Sequence, residues 1–314
     1  MRMPMLTHRR GRVLAAALVV VALAAAACGK SSKTTKASST TTAAKGTITI
    51  GAFNFPESAI LADIYAGALK QRGYTTHVRA NLGTREIVEP ALEKGDIDLY
   101  PGYAATELEF VNKAAGEASP DAAATVAKLN ERLAPKGLEA LEPSKAEDEN
   151  AFAVTKATAD KYHLAKLSDL TSVAGQLTLG GPPECPTRPF CAAGLERVYG
   201  IKFKTFRPLD PGGPLTKGAL EKGDIDVGLI FSSDGAIPAK GFVVLDDDKH
   251  LQNADVVVPV IRTKVATNDV KSVLDDVSAK LTTTDLTNLN KRALIDKEDP
   301  DKLAQGWLQD HGLM

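Results

Sequence analysis

The apolar positions of the chain follow two periodicities that alternate along it. Short apolar segments such as Thr47–Gly51 predict strands, and segments whose apolar residues recur at spacings of one, three and four predict helices. The clearest helical pattern follows the first strand, at Ile60, Leu61, Ile64, Tyr65, Ala68 and Leu69. Pro56 suits its first turn, because the N–H that proline lacks would have no partner there. Strands alternating with helices predict an α/β protein with mostly parallel sheets flanked by helices.

An internal repeat indicates that there are two such α/β units. The octapeptide ALEKGDID occurs at Ala91–Asp98 and again at Ala219–Asp226, 128 positions later. Strand-like segments precede both copies at nearly the same offset, at Thr47–Gly51 and Gln176–Gly180. Two landmarks that keep one spacing predict a duplicated unit.

The two units are expected to form a ligand cleft. In open α/β sheets, ligands bind beyond the carboxyl ends of the strands. Four loops occupy that position, two from each unit: Phe53–Ser58, Pro101–Thr106, Gly180–Cys191 and Ser232–Gly235. We expect the chain to cross between the units at the apolar segments 151–154 and 256–261, and two hinged lobes are the architecture of a closing ligand trap.

The N-terminal segment is typical of export. Four arginines precede an uncharged apolar run, Val13–Ala27, and this order predicts a secretory signal at residues 1–27. The run has 15 residues, fewer than the roughly 20 that a membrane-spanning helix needs. The small residues before Cys28 resemble a bacterial lipobox, in which cleavage leaves Cys28 as a diacylated N-terminus. The alternative is ordinary signal cleavage that leaves Cys28 as a free thiol.

The charge of the chain is divided unevenly between this segment and the rest. Residues 28–45 are rich in Ser, Thr and Lys and predict a flexible tether. The whole chain has 38 basic and 39 acidic residues, and segment 1–45 holds eight of the basic residues and none of the acidic ones. The rest of the chain therefore has 30 basic residues against 39 acidic ones. An acidic body argues against nucleic acid as a partner, since phosphate binding needs clustered Lys and Arg.

Several motifs together resemble one protein family. They are GAFNFPESAILA, DLYPGYAATE, NAFAVT, GGPPECPTRP, FSSDGAI and LDDDKH, in the order and spacing of the solute-binding proteins of bacterial glycine betaine/carnitine/choline ABC importers. The resemblance implies a two-lobed fold of the type II periplasmic-binding-protein kind, with lobe A at residues 46–149 and 252–314 and lobe B at 150–251. It implies a monomeric receptor, lipid-anchored on the extracytoplasmic face of the cell membrane, that delivers a small osmoprotectant to a permease with its ATPase and needs no cofactor.

The resemblance also implies a site. In this family, tyrosines surround the quaternary ammonium head, and an arginine and a threonine hydroxyl hold the carboxylate. Tyr103 and Thr106 match a cage tyrosine and the threonine, and Arg188 matches the arginine, although Arg188 could instead pair with Glu184. Tyr103 is expected in a loop beyond the strand that holds Tyr100, which we assign to the core.

Other positions depart from the family pattern. Asn150 and Phe231 stand where the family often has tyrosine or another aromatic residue, and the first loop carries Phe53. The ligand is therefore either an osmoprotectant of the glycine betaine, choline or carnitine type, or an aromatic or phenolic molecule on a flatter pocket. The predicted ligand-binding residues are Phe53, Asn54, Phe55, Tyr103, Thr106, Asn150, Arg188 and Phe231.

The remaining cysteine and aspartate motifs are predicted to have structural roles. Cys185 and Cys191 predict a disulfide, because the N-terminal segment predicts export and no histidine has the spacing of a zinc site. Asp234 is expected to cap a turn or helix. The run 246–248 lacks the glycine and distal glutamate of a calcium loop and is expected to be a solvated turn, so no metal site is predicted.

The sequence does not favour an enzyme. It has no G-x-S-x-G, H-E-x-x-H, P-loop or dinucleotide glycine motif, and its five histidines are scattered. An adhesion module could use the same tether, but it would give no reason for a two-lobe repeat with loops that face a cleft.

Overall fold

The computed structural model describes residues 45–314. The predicted signal peptide, Cys28 and all of the tether except Lys45 lie outside the described residues. No helix within residues 45–314 is long and apolar enough to cross a membrane.

The elements follow one another as strand and helix along most of the chain. The first group is β1 (Thr47–Gly51), α1 (Pro56–Gln71), β2 (Thr75–Arg79), α2 (Arg85–Lys94), β3 (Leu99–Tyr103), α3 (Ala104–Val111), α4 (Ala122–Leu133) and β4 (Leu138–Ala140). The second group is β5 (Asn150–Thr155), α5 (Lys156–Tyr162), β6 (Thr178–Gly181), α6 (Ala192–Tyr199), β7 (Thr205–Pro208), α7 (Pro214–Lys222), β8 (Val227–Phe231), α8 (Ile237–Lys240) and β9 (Phe242–Val244). The chain ends with β10 (Val257–Arg262), α9 (Asn268–Lys280), α10 (Thr283–Leu294) and α11 (Pro300–Asp310).

The strands form two five-stranded sheets of matching topology. The orders are β2-β1-β3-β10-β4 and β7-β6-β8-β5-β9. In each sheet one strand runs opposite to the other four, β10 in the first and β5 in the second. The predicted α/β fold with two mostly parallel sheets is confirmed. The first sheet takes β1–β4 and β10 and the second takes β5–β9, while the exact lobe boundaries at 149/150 and 251/252 stay a prediction.

Helix α1 is the central helix of lobe A. It begins at Pro56 as predicted, and its apolar face, which includes Ile60, Leu61 and Ile64, is fully buried against the first sheet and the C-terminal helices. Trp307 and Leu308 of α11 join the same core. The C-terminal helix therefore packs on lobe A.

The octapeptide repeat has a structural explanation. Gly95 and Gly223 end α2 and α7 in the left-handed conformation that glycine adopts without strain. Asp98 and Asp226 each accept a hydrogen bond from the backbone N–H of the first or third residue of the neighbouring strand, at 3.0 Å in β1 and 2.8 Å in β6. The repeated sequence therefore joins a helix end to the start of a parallel strand in both lobes.

The two crossings between the lobes run beside each other. The backbone N–H of Asp148 donates to the carbonyl of Asp255 at 3.1 Å, and that of Val257 donates to the carbonyl of Ala146 at 2.9 Å. The crossings lie just before β5 and β10, next to the segments that the sequence indicated. An antiparallel pair of crossing segments is the natural hinge between the lobes.

One local prediction is wrong. The segment Pro101–Tyr103 was expected to be a loop, but it continues β3, with Tyr103 opposite Val257 and Pro101 opposite Pro259 of β10. The pairing with β10, which comes from a distant part of the sequence, makes this Pro/Gly segment a strand. Tyr103 is thereby placed at the strand end, directly before α3.

Candidate functional site

A cavity of about 310 Å³ lies between the two lobes. All eight residues predicted to bind ligand line it: Phe53, Asn54, Phe55, Tyr103, Thr106, Asn150, Arg188 and Phe231. Their common position results from the topology, because the carboxyl ends of β1, β3 and β8 face the same cleft. Their roles in binding stay a prediction.

Aromatic rings form a continuous wall across the cavity. Phe53 and Phe55 are stacked with ring centroids 5.8 Å apart, and Phe55 lies 6.0 Å from Tyr103. Phe231 of the other lobe lies 5.1 Å from Phe55, so the wall extends across both lobes. Phe110 and Phe190 also line the cavity. The cavity thus presents five phenylalanines and one tyrosine among its lining residues.

Tyr103 is held in place by a buried carboxylate. Its hydroxyl donates a hydrogen bond of 2.6 Å to Glu57 in the first turn of α1. Glu57 also accepts a hydrogen bond of 2.6 Å from the hydroxyl of Ser233, which belongs to the other lobe, and one from Asn290 of α10. Burial, together with the charge of Glu57, holds the pKa of Tyr103 far above its ordinary value, so the phenol remains a donor. Tyr103 lines the cavity with its hydroxyl already bonded to the protein.

A second polar network surrounds Thr106. The backbone N–H of Thr106 donates to Asp255 at 3.0 Å, and Arg85 donates to the Thr106 hydroxyl at 2.9 Å. Arg85 is buried, forms an ion pair of 2.8 Å with the fully buried Glu107, and lies over the Phe53 ring at 5.3 Å. Its positive charge is therefore already balanced within the protein.

Asp148 and Asp255 form the acidic part of the cavity. Asp148 accepts the backbone N–H of Ser233 at 2.9 Å. Burial, followed by the nearby charge of Glu57, raises the pKa of Asp148 well above its ordinary value. Burial raises the pKa of Asp255 to about 6, although the hydrogen bond from the Thr106 backbone and the charge of Arg85 lower it. Both groups bind a proton more readily than a solvent-exposed aspartate does.

Arg188 bridges the mouth of the cleft. One of its terminal nitrogens contacts both carboxylate oxygens of Glu86, at 2.8 and 3.0 Å, and Glu86 belongs to α2 of the other lobe. The alternative pairing with Glu184 is wrong, since Glu184 instead accepts a hydrogen bond of 3.2 Å from Thr84. The side chain of Glu184 reaches across the cleft, and Arg188 finds its partner there as well.

The loop that carries Arg188 is closed by a disulfide between Cys185 and Cys191. Within the same loop, the carbonyl of Phe190 accepts hydrogen bonds of 3.2 Å from the side-chain amides of both Asn150 and Gln252. Asn150 therefore supports this loop at the edge of the cavity. The disulfide and the amide contacts together fix the backbone that positions Arg188.

The other polar motifs have protein partners. Asp234 accepts the backbone N–H of Ala236 at 2.9 Å, which fits the expected turn, and it also forms a buried ion pair with Lys217. Asp247 and Asp248 bond to Tyr199 and Ser168 within the second lobe. Within residues 45–314 no group of His, Cys, Asp and Glu side chains could hold a metal ion.

Sequence reasoning missed five important lining residues: Arg85, Phe110, Asp148, Phe190 and Asp255. Asp148 and Asp255 lie in the crossing segments, which the sequence did locate, but their side chains were not assigned to the site. The available signal was their position, because each is an acidic residue next to a segment that was predicted to cross between the lobes. Arg85 is the first residue of α2, and the loop between β2 and α2 was not counted among the cleft loops.

Comparison with known proteins agrees with this geometry. A family model described as the substrate-binding domain of ABC-type glycine betaine transport systems matches residues 46–310. A glycine-betaine-binding protein of Pseudomonas aeruginosa is 27% identical over 85% of this chain and 89% of its own length. A carnitine transport binding protein of Listeria monocytogenes is 28% identical over 85% of this chain and 87% of its own length.

Solved structures are similar as well. A crystal structure of a glycine betaine/carnitine/choline ABC transporter protein is 27% identical, covers 85% of this chain and 99% of its own length, and superposes with a TM-score of 0.66. A choline-binding protein of an ABC transporter, solved with choline, superposes with a TM-score of 0.61 at 17% identity and supports the fold.

Proposed function

The chain belongs to the family of substrate-binding domains of ABC-type glycine betaine transport systems, and from this premise we propose that it captures a small osmoprotectant of the glycine betaine, choline or carnitine type. Capture occurs by closure of the two lobes, and the closed protein delivers its solute to a membrane permease that works with an ATPase. The family is one of transport receptors, so the ligand leaves the cleft chemically unchanged.

The observation that carries this proposal is the lining of the cleft. Rings of Phe53, Phe55, Tyr103 and Phe231 stand next to the buried carboxyl groups of Asp148 and Asp255. A cation near an aromatic face gains about 0.5–2 kcal/mol, and the gain is largest where water is excluded. Rings and carboxylates in one closed space favour a compact organic cation.

Lobe closure has a structural basis in the contacts that join the lobes. At the mouth, Arg188 of lobe B pairs with Glu86 of lobe A. Near the hinge, Ser233 of lobe B donates to Glu57 of lobe A. A ligand that contacts Phe55 on one side and Phe231 on the other adds to these contacts only when the lobes are closed, and it therefore favours the closed state.

The proposal includes the location of the protein. The signal at residues 1–27 supports export, and acylation of Cys28 supports attachment to the outer face of the cell membrane. Two acyl chains with nearby lysines give stable attachment, whereas one chain gives only reversible binding. A receptor held in this way stays near its permease and acts as a monomer.

A second ligand class follows from the same lining. Five of the six aromatic residues that line the cavity are phenylalanines, which suits an aromatic or phenolic ligand. An uncharged ligand would leave the two buried aspartates without a counter-charge, and we therefore rank this class second.

The experiment that tests the proposal is a thermal-shift screen of the purified protein. The ligands are glycine betaine, choline, carnitine and proline, together with a panel of phenolic compounds. Ligand at one hundred times its dissociation constant stabilises the folded state by about 2.7 kcal/mol. We expect a quaternary amine to raise the melting temperature, Tyr103→Ala to abolish the rise, and Tyr162→Ala, outside the cavity lining, to preserve it. A response to phenolic compounds alone would refute an osmoprotectant as the ligand and would leave the proposed role as a transport receptor intact.

A further inference from the structure

Two aspartates meet at the hinge side of the cavity. Asp148 and Asp255 lie on the two crossing segments, and the backbone N–H of one donates to the carbonyl of the other at 3.1 Å. Only 4% of Asp148 and 5% of Asp255 is exposed, and both line the cavity. The interlobe cleft therefore has two adjacent carboxyl groups at its base.

Neither aspartate has an ion-pair partner within the described part of the chain. Asp148 accepts hydrogen bonds from the backbone N–H of Ser233 at 2.9 Å and the hydroxyl of Ser232 at 3.4 Å. Asp255 accepts them from the backbone N–H and the hydroxyl of Thr106, at 3.0 and 3.3 Å. These donors are neutral. The charge of Arg85 acts on Asp255 from beyond ion-pair distance, and Arg85 is already paired with Glu107. A buried carboxylate without a direct counter-charge is unfavourable.

Two other buried carboxylates have cationic partners, since Glu107 binds Arg85 at 2.8 Å and Asp234 binds the buried Lys217. Glu57 and Glu109 have no ion-pair partner among the described residues, but Glu57 accepts hydrogen bonds from three side chains and Glu109 from three backbone N–H groups. Asp148 and Asp255 differ from both because they lie side by side on the crossing segments, at the base of the cavity. A bound cation would supply the positive charge that neither aspartate receives from an ion pair.

The cationic side chains of the cavity are not free to receive a ligand carboxylate. Arg85 is paired with Glu107, and Arg188 is paired with Glu86. Lys113 is exposed at the cavity lining, where water screens its charge. A zwitterion would bring its carboxylate into a cavity whose two arginines are already neutralised.

We propose that the ligand of this cleft is an ammonium cation without a carboxylate, of the choline type, whose charge is balanced by Asp148 and Asp255. This assignment rests on the proposed function and narrows it. The rings of Phe53, Phe55 and Phe231 cover the alkyl groups of the cation, and the two aspartates supply the negative charge that a tyrosine-poor cage lacks.

Calorimetric titration with two matched ligands tests the assignment. Choline and glycine betaine share the trimethylammonium group and differ in carrying a hydroxymethyl group or a carboxylate. We expect choline to bind at least about tenfold more tightly than glycine betaine, since the carboxylate of glycine betaine would be repelled by the two aspartates. Glycine betaine binding equally well or better would overturn the assignment while leaving the proposed function. Binding of neither, with a phenolic ligand bound instead, would overturn both.

Substitution of the aspartates tests their role directly. Asp148→Asn and Asp255→Asn keep the shape of the side chain and remove its charge, and each is expected to weaken choline binding by at least about tenfold. Asp160→Asn, on the exposed face of α5, is the matched control and should bind choline as the unchanged protein does. Unaltered choline affinity in both cavity variants, each with a cooperative melting curve, would refute the assignment.

A gain of binding tests the part played by Arg188. Glu86→Gln releases the guanidinium and also removes a contact that supports lobe closure, so the affinities are compared as a ratio. We expect the ratio of glycine betaine affinity to choline affinity to rise several-fold. Glu93→Gln, on the same helix but bonded to Lys136 outside the cavity, is the control and should leave this ratio unchanged. If Glu86→Gln also leaves the ratio unchanged, pairing of Arg188 with Glu86 does not exclude the ligand carboxylate and the assignment fails at that step.

Discussion

Asp255 is buried without an ion-pair partner among the described residues, and this leads to an unusual prediction about the stability of the protein. Asp255→Asn is expected to make the ligand-free protein more stable at neutral pH, although it replaces a buried, hydrogen-bonded residue. Asparagine can still accept the backbone N–H of Thr106, which now lies 3.0 Å from the carboxylate. What is lost is the negative charge, and burial makes that charge unfavourable.

The magnitude follows from the pKa of Asp255. Burial raises this pKa from the ordinary value of 3.8 to about 6. The folded state therefore binds the proton more tightly than the unfolded state does, and folding stability falls as pH rises from about 4 to about 6. Above pH 7 the full difference applies, and it corresponds to about 3 kcal/mol. For a domain of this size, this difference in the free energy of unfolding corresponds to a melting temperature about 5 °C higher in the variant.

Differential scanning calorimetry at pH 4.0 and pH 7.5 measures the effect. The two proteins should melt at similar temperatures at pH 4.0, where the aspartate is largely protonated in the folded state, and should differ at pH 7.5. Asp234→Asn is the matched control, because Asp234 is equally buried but paired with Lys217. Removing one partner of a buried pair destabilises by about 3–5 kcal/mol, so the same substitution has the opposite sign there. A variant Asp255→Asn that is less stable at pH 7.5, with no dependence on pH, would refute the reasoning.

Three further predictions concern other parts of the molecule. Gly235→Ala places a Cβ 2.6 Å from a side chain and 2.7 Å from the backbone of α10, and urea denaturation should show a loss of about 1–3 kcal/mol, whereas Gly218→Ala, with open space around it, should cause no loss. Replacing Cys185 and Cys191 by serine should lower stability by about 2 kcal/mol, and a reducing agent should destabilise the unchanged protein equally but not the variant. Trp307→Ala should cost about 3–5 kcal/mol in the same urea assay, and a loss below 1 kcal/mol would contradict the integration of α11 into the lobe A core.

Most of the fold could be predicted from the sequence because its signals are local. The periodicity of α1, the proline at its start and the glycines at Gly95 and Gly223 depend on neighbouring residues only, and they were located correctly. The repeat at a constant offset also gave the duplication directly. The error at Pro101–Tyr103 has the opposite origin, because that segment becomes a strand only through pairing with β10, more than 150 positions away.

The candidate site was predictable to the extent that it follows from loop position. The ends of β1, β3 and β8 face one cleft in any fold of this topology, and Phe53, Tyr103 and Phe231 therefore line it as expected. The partners of these residues were not predictable. Nothing in the local sequence indicates that Tyr103 bonds to Glu57 or that Arg188 bonds to Glu86.

The sequence by itself determined most of the secondary structure, the duplication, the family and four of the loops that face the cleft, because each depends on short patterns or on their spacing. Only the tertiary structure decided which charges are paired. Asp148 and Asp255 are separated by more than one hundred positions, yet their backbones are hydrogen-bonded and both carboxyl groups are buried with no ion-pair partner among residues 45–314. Burial and the distance to a counter-charge are properties of the folded chain, and they narrow the range of ligands proposed for this cleft.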